Sequence, residues 1–152
     1  MKNKQIFNSG FTLIELLVVI SIIGVLTALL LSNFVGIRGR AKDTQLKGDL
    51  KQLQVAMRLY YNDNQSYPIG SSITSCGGAV CTAGDEFNSA AGGTIYMKSM
   101  PVFNVYSGAA DGESFYIGVT LSNASDADIA GSVAECGIGA AARINTFYVC
   151  AN

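Results

Sequence analysis

The chain has 152 residues, 49% of them hydrophobic and 14% charged, which is enough for one compact domain and a membrane segment but not for two domains. The absence of histidine removes the commonest general base and the commonest nitrogen ligand for metals, which argues against an enzyme. A formal net charge of -1 argues against attraction of the whole chain to nucleic acid.

The charges are unevenly distributed along the chain. Eight of the ten basic residues lie at or before Arg58. From Asp63 onward there are eight acidic residues and only two basic ones, Lys98 and Arg143. The first part of the chain is therefore basic and the remainder is acidic.

The N-terminus consists of a short polar segment followed by an apolar one. Residues 1–10, MKNKQIFNSG, carry Lys2 and Lys4, whereas residues 11–31 carry a single charge, on Glu15. At 1.5 Å per residue, a helix over 11–31 crosses a ~30 Å hydrocarbon layer, so this segment is predicted to span a membrane. Basic residues on both flanks leave its orientation open.

The polar segment after Ser32 keeps a helical period. Its apolar residues recur at intervals of three and four: Leu46, Leu50, Leu53, Met57 and Tyr60. The helix is therefore predicted to continue as an amphipathic helix through residues 32–62. The turn formers of DNQSYP then end it.

Residues 63–152 are predicted to form a globular head. Residues 70–93 are rich in Gly, Ser and Ala and are typical of a loop, with a short helix predicted at 85–91. Residues 114–122 alternate as a half-buried strand, and their apolar face carries Phe115, Ile117, Val119 and Leu121.

Two further strands complete the predicted sheet. Asp111 and Gly112 form a hairpin-turn signal before the strand at 114–122, with residues 102–106 as the preceding strand. Residues 143–150 are predicted as the last strand. The predicted fold class is α+β: a long N-terminal helix whose second half packs against a small antiparallel sheet.

All four cysteines lie in the predicted head: Cys76, Cys81, Cys136 and Cys150. Their position is typical of a domain in an oxidising compartment outside the inner membrane. Four cysteines allow three pairings. We expect Cys76 with Cys81 and Cys136 with Cys150, because each bond closes a short local loop. Without histidine or a CxxC motif, a zinc or redox site is the weaker alternative.

Residues 9–26, SGFTLIELLVVISIIGVL, resemble the cleavage and methylation motif of type IV pilins and type II secretion pseudopilins. The resemblance implies that a leader is cut off after Gly10, that the new N-terminus at Phe11 is methylated, and that Glu15 acts in assembly. Residues 53–68, LQVAMRLYYNDNQSYP, are similar to the helix end and following turn of major pseudopilins. Ser32 stands where many members carry proline.

The motif residues Gly10, Phe11 and Glu15 each have an alternative interpretation. Gly10 and Phe11 are also compatible with an anchor that is not cleaved, and Glu15 with a side chain that reaches the membrane interface. A carboxylate in the bilayer costs about 2.5–3.5 kcal/mol, so we favour a functional role for Glu15. We predict that it pairs with the amine of Phe11 on a neighbouring subunit and thereby sets the register.

The resemblance implies a structural subunit of a type IV pilus or a type II secretion pseudopilus, not an enzyme. Its implied partners are further copies of itself, minor pilins, a prepilin peptidase, an inner-membrane platform protein and an assembly ATPase. The implied location is the inner membrane, with a single pass and the head outside the cytoplasm. The alternative is a minor tip subunit whose head binds a surface, DNA or an exoprotein.

Many major pseudopilins bind calcium in an acidic loop. The loose counterparts here are Asp111, Glu113, Asp126 and Asp128. Carboxylate oxygens suit calcium, so a calcium site at these residues is a further expectation, with a solvated acidic surface as the alternative.

Overall fold

The computed structural model describes residues 10–89 and 93–151, with no side-chain description for residues 31–35 and 140. Residues 1–9, nearly all of the predicted leader, lie outside the described residues. The chain divides into two compact units between Arg38 and Gly39.

One long helix, α1, runs from Leu13 to Asn64. It ends two residues beyond the predicted end. Gln65 adopts the left-handed conformation (φ 56°) and its N–H donates to the Tyr61 carbonyl at 2.7 Å, an αL type of helix ending. Within the first unit, Leu13–Leu30 has a mean hydropathy of 2.8 and none of its 18 residues is buried, so this segment is long and apolar enough to cross a membrane.

The described residues of the second unit form two small antiparallel sheets. Strands β1 (Phe87–Asn88) and β2 (Ile95–Met97) pair with each other. Strands β3 (Val105–Gly108), β4 (Phe115–Thr120) and β5 (Thr146–Cys150) form a sheet in the order β3-β4-β5. The predicted α+β class, with a long N-terminal helix and a small antiparallel sheet, is confirmed.

The core of the second unit lies between α1 and the three-stranded sheet. Of the predicted stripe of α1, Leu50, Leu53 and Met57 are each 0% exposed, and Leu46 and Tyr60 are partly buried against the same core. The alternating face predicted for residues 114–122 is also confirmed, since its four apolar residues are buried: Phe115, Ile117 and Val119 in β4, and Leu121 directly after it. Periodicity in the sequence therefore identified both sides of this core.

The strand predicted at 102–106 begins later, at Val105. The side chain of Asn104 replaces a backbone partner at this end of the sheet: its Oδ1 accepts the Thr120 N–H at 2.8 Å, while its own N–H donates to the Gly118 carbonyl. This exchange ends the regular ladder. The hairpin predicted at Asp111 and Gly112 is present between β3 and β4, and Gly112 has a φ of 73°.

The helix predicted at 85–91 is wrong for its described part, which contains the two-residue strand β1. Long-range contacts account for the difference. Phe87 is buried and its ring stacks on that of Tyr60 at 5.4 Å, and the Asn88 N–H donates to the Ser75 carbonyl at 2.8 Å. Residues 90 and 91 lie outside the described residues.

A second helix, α2 (Ala127–Glu135), was not predicted. It follows β4 and is capped at its N-terminus by Asp126, whose carboxylate accepts the Asp128 N–H at 3.0 Å. A short 3₁₀ helix, Gly139–Ala141, then leads to β5. In α2, Ser132 is buried, and its hydroxyl accepts the Tyr148 N–H of β5 at 3.1 Å.

Candidate functional site

The start of α1 is fixed by a reciprocal pair of side chains. The N–H and the hydroxyl of Thr12 donate to one oxygen of Glu15, Oε2, at 2.8 and 2.6 Å. The Glu15 N–H in turn lies 3.4 Å from the Thr12 hydroxyl. With Leu13 as the first helical residue, Thr12 is the N-cap and Glu15 the third helical residue, which is the capping box arrangement.

The capping box was not predicted, although its T-x-x-E signal is present in the sequence FTLIE. The box places Gly10 and Phe11 just outside the helix, and both are exposed, Phe11 by 80%. The bond predicted to be cut therefore lies in a non-helical, accessible stretch.

The first unit exposes a long apolar surface. From Phe11 to Leu30 its large hydrophobic side chains are between 47% and 84% exposed. Such a surface is far larger than the apolar patches of ordinary soluble domains, so it is suited to lipid or to packing against other chains.

The predicted calcium residues fall into two pairs with different partners. Asp111 and Glu113 lie in the β3–β4 hairpin, where Asp111 Oδ1 accepts the Glu113 N–H at 3.0 Å. Glu113 also accepts the Tyr61 hydroxyl at 2.7 Å, and this hydrogen bond raises the pKa of Tyr61.

Asp126 and Asp128 share one lysine. The Lys47 ammonium lies 2.9 Å from Asp126 Oδ2 and 2.7 Å from Asp128 Oδ2. The hydrogen bonds to Asp128 and then Asp126 raise the pKa of Lys47. The hydrogen bond from Lys47, followed by that from the Asp128 N–H, lowers the pKa of Asp126.

A buried carboxylate that sequence reasoning did not single out lies one turn before Lys47 on α1. Asp43 is 1% exposed, and its two oxygens accept the N–H groups of Ser122 and Asn123, each at 2.8 Å. No local signal identifies such a residue, because its partners lie 79 and 80 positions away in the chain.

Among the described residues, no group of three or more His, Cys, Asp or Glu side chains is placed to hold a metal ion. The calcium site at Asp111, Glu113, Asp126 and Asp128 stays a prediction. The four residues lie in two separate pairs, Asp111 with Glu113 and Asp126 with Asp128. Each pair accepts hydrogen bonds from its own donors.

Both cystine bonds lie within the second unit. Cys76 pairs with Cys81, and Cys136 pairs with Cys150. The second bond connects the C-cap of α2 to the last residue of β5. The bond therefore closes a loop made of the chain between α2 and β5, with a sequence separation of 14 between the two cysteines.

The exposed apolar helix and its capped start belong to a recognised class of sequence. Residues 7–31 match the family model described as the prokaryotic N-terminal methylation motif. This match includes Gly10, Phe11 and Glu15, so the resemblance to prepilin-type subunits is confirmed for the N-terminal part of the chain.

Curated relatives extend the similarity beyond that motif. The chain is 40% identical over 60 residues to the type IV major pilin protein PilA of Myxococcus xanthus and 45% identical over 68 residues to the type II secretion system core protein G of Pseudomonas aeruginosa. It is 47% identical over 58 residues to the type IV wide pilus major component PilA4 of Thermus thermophilus.

These matches cover only part of each protein. They span 40%, 45% and 38% of this chain and 27%, 46% and 44% of the respective relatives. No solved structure matches the chain significantly. The similarity therefore concerns a segment shorter than half of the chain.

Proposed function

We propose that this chain is a structural subunit of a type IV pilus or a type II secretion pseudopilus, cut between Gly10 and Phe11 and assembled through α1. The observation that carries the proposal is the methylation-motif match at residues 7–31, which coincides with an apolar helix that has no buried residue between Leu13 and Leu30. Relatives named as pilus and secretion-system components support the same role, which is structural and not catalytic.

Processing is tested by producing the full chain with and without a prepilin peptidase and measuring the intact mass and the N-terminal residue. We expect a mature chain that begins at Phe11 with a methylated amine. A Gly10→Val variant is the matched control, because it alters the residue before the bond and leaves the capping box in place. A wild-type chain that still begins at Met1 in the presence of an active peptidase would contradict the proposal.

For assembly, Glu15 is proposed to pair with the Phe11 amine of a neighbouring subunit. Cleavage creates an amine with an unperturbed pKa of about 8, which is largely cationic at neutral pH. In the structure the Thr12 donors both bind Glu15 Oε2, so the carboxylate is held in one orientation. A buried ion pair contributes to specificity more reliably than to stability, so its proposed role is the register between subunits.

The Glu15→Gln variant tests this role, since it removes the charge and keeps the length of the side chain. We expect normal membrane insertion and normal disulfides in the head, with reduced filament formation or co-assembly with wild-type chains. Glu15→Asp is the control that retains the charge. Normal filament yield and an unchanged helical rise for Glu15→Gln in electron micrographs would argue against the pairing.

The proposed location is the inner membrane, crossed once by α1, with the head outside the cytoplasm. The two cystine bonds support this orientation, because disulfides persist in oxidising compartments. Further copies, minor pilins, a prepilin peptidase, a platform protein and an assembly ATPase are the proposed partners. Protease added to spheroplasts should digest the head; protection of the head until the membrane is lysed would contradict this orientation.

A repeated building block is favoured over a minor tip subunit whose head binds a surface, DNA or an exoprotein. Two of the relatives carry the word major in their names, which supports this choice. Antibody against the head should label purified filaments along their whole length. Labelling confined to the ends would favour the tip subunit instead.

A further inference from the structure

The resemblance to major pseudopilins raises the expectation of a calcium ion in an acidic loop of the head. The relevant segment is the β4–α2 loop, residues 121–126, together with Asp128 in the first turn of α2. We propose that the Lys47 ammonium takes the place of a metal ion at this loop, so that the loop and the start of α2 fold without calcium. The inference concerns folding of the head and does not depend on the proposed filament role.

Lys47 satisfies the carboxylates as a bound cation does. Its three N–H donors match three acceptor oxygens: the two of Asp126, at 3.1 and 2.9 Å, and Oδ2 of Asp128, at 2.7 Å. The Lys47 side chain is only 15% exposed and that of Asp126 only 17%, so this contact is partly shielded from water. Its ammonium also lies 6.0 Å from the centre of the Phe147 ring.

The same oxygens fit a calcium ion poorly. Calcium requires six to eight oxygen ligands at about 2.3–2.6 Å, and an ammonium within hydrogen-bond distance of two of its carboxylates would repel it. Asp43, one turn before Lys47 on α1, also binds this loop, but backbone N–H groups occupy both of its oxygens. A metal at this loop would have to displace Lys47 and break both of its ion pairs.

Asp43 and Lys47 hold the two ends of the loop from one face of α1, since they lie one helical turn apart. Asp43 accepts the N–H groups at the beginning of the loop, and Lys47 binds Asp126 at its end. Asp126 is at the same time the N-cap of α2. The position of the loop and the start of α2 are thus set by side chains of α1, without an added ion.

Thermal unfolding of the full chain in detergent tests the proposal, with tyrosine near-ultraviolet circular dichroism as the signal of the head. Wild type is compared in EGTA and in calcium chloride. Lys47→Met, which keeps the apolar stem and removes the charge, is compared with Lys51→Met, an exposed lysine one turn further along α1. Lys47→Arg restores a positive charge and is the second variant.

We expect the same melting temperature for wild type in EGTA and in calcium. Lys47→Met should melt lower by roughly 4–8 °C, whereas Lys51→Met and Lys47→Arg should remain close to wild type. An increase in the wild-type melting temperature with calcium would overturn the proposal. It would also be overturned if Lys47→Met melted like Lys51→Met. If Lys47→Met fails to fold, the melting temperatures of wild type in EGTA and in calcium chloride still test the proposal.

Discussion

The two units of the chain use the same kind of residue in opposite ways. From Leu13 to Leu30, in the first unit, the leucines, isoleucines and valines of α1 are exposed, whereas in the second unit Leu50, Leu53 and Met57 of the same helix are fully buried. Among the described residues, hydrophobic burial within the chain therefore stabilises the second unit and not the first. The first unit has an apolar surface that needs a different environment, which is the physical basis for proposing a membrane and a filament.

The largest expected effect comes from exchanging leucine for alanine on either side of this divide. Leu53→Ala removes a side chain that is 0% exposed and should lower the free energy of unfolding of the head by about 2–5 kcal/mol. Leu26→Ala, at a residue that is 55% exposed, should leave that free energy unchanged. Denaturant unfolding in detergent provides the measurement. Equal destabilisation by the two variants would show that the units do not differ in this way.

The second prediction concerns the covalent closure of the head. Replacing both Cys136 and Cys150 with serine should lower the free energy of unfolding of the head by roughly 3 kcal/mol, which is the value for closing a loop of about fifteen residues. Unfolding of the double variant and of the wild type should be compared without reductant. Non-reducing peptide mapping of the wild type serves as the check on connectivity, and free thiols or crossed pairs with Cys76 and Cys81 would contradict the assigned bonds.

A smaller effect is expected at the start of α1. Thr12→Val keeps the shape of the side chain but removes the hydroxyl that donates to Glu15, so amide exchange in the first turn should become several-fold faster. Thr27→Val is the matched control, because the Thr27 hydroxyl donates to the Ile23 carbonyl within the helix and caps nothing. Hydrogen exchange in micelles measures both. Equal rates in the two variants would argue against the capping box.

The smallest expected effect is a loss of stability of the head at acidic pH. The pKa of Asp126 is lowered by the hydrogen bonds from Lys47 and then from the Asp128 N–H, so its folded-state value lies below its unfolded-state value. Its contribution to stability is present above about pH 4 and is lost as the pH falls through the folded-state pKa. Melting temperatures between pH 6 and pH 2 should therefore fall less steeply for Asp126→Asn.

Some acid sensitivity should remain in that variant. The pKa of Asp85 is also lowered, by the hydrogen bonds from the N–H and then the hydroxyl of Thr82, so it contributes in the same direction. The matched variant Asp85→Asn should retain the part due to Asp126. Identical pH profiles for wild type and Asp126→Asn would remove the proposed linkage.

Periodic features of the sequence predicted the fold well. The spacing of Leu50, Leu53 and Met57 identified the buried face of α1, and the alternation along β4 identified the facing sheet. Both signals are local, because each depends on residues a few positions apart. The helix predicted around Phe87 failed for the opposite reason, since the ring contact with Tyr60 that holds this residue joins distant parts of the chain.

The polar contacts were harder to predict than the core. Asp126 was interpreted as a calcium ligand, and its more local role as the N-cap of α2 was overlooked. The partners of Asp43 and Lys47 lie about eighty residues further along the chain, where no periodic pattern connects them. The methylation motif that includes Gly10, Phe11 and Glu15 was recognised because it is contiguous, and contiguous motifs need no knowledge of the fold.

The capping box determines how the proposed cleavage changes the start of α1. Hydrolysis of the Gly10–Phe11 peptide bond leaves the Phe11–Thr12 amide intact, so the two groups that donate to Glu15 both belong to the product that begins at Phe11. The first turn of α1 should therefore be the same before and after the cut. The loss of residues 1–10 and the new amine of Phe11 are the chemical differences between the two ends. A protein that distinguishes the precursor from the proposed mature subunit at this end therefore has to recognise one of these two changes.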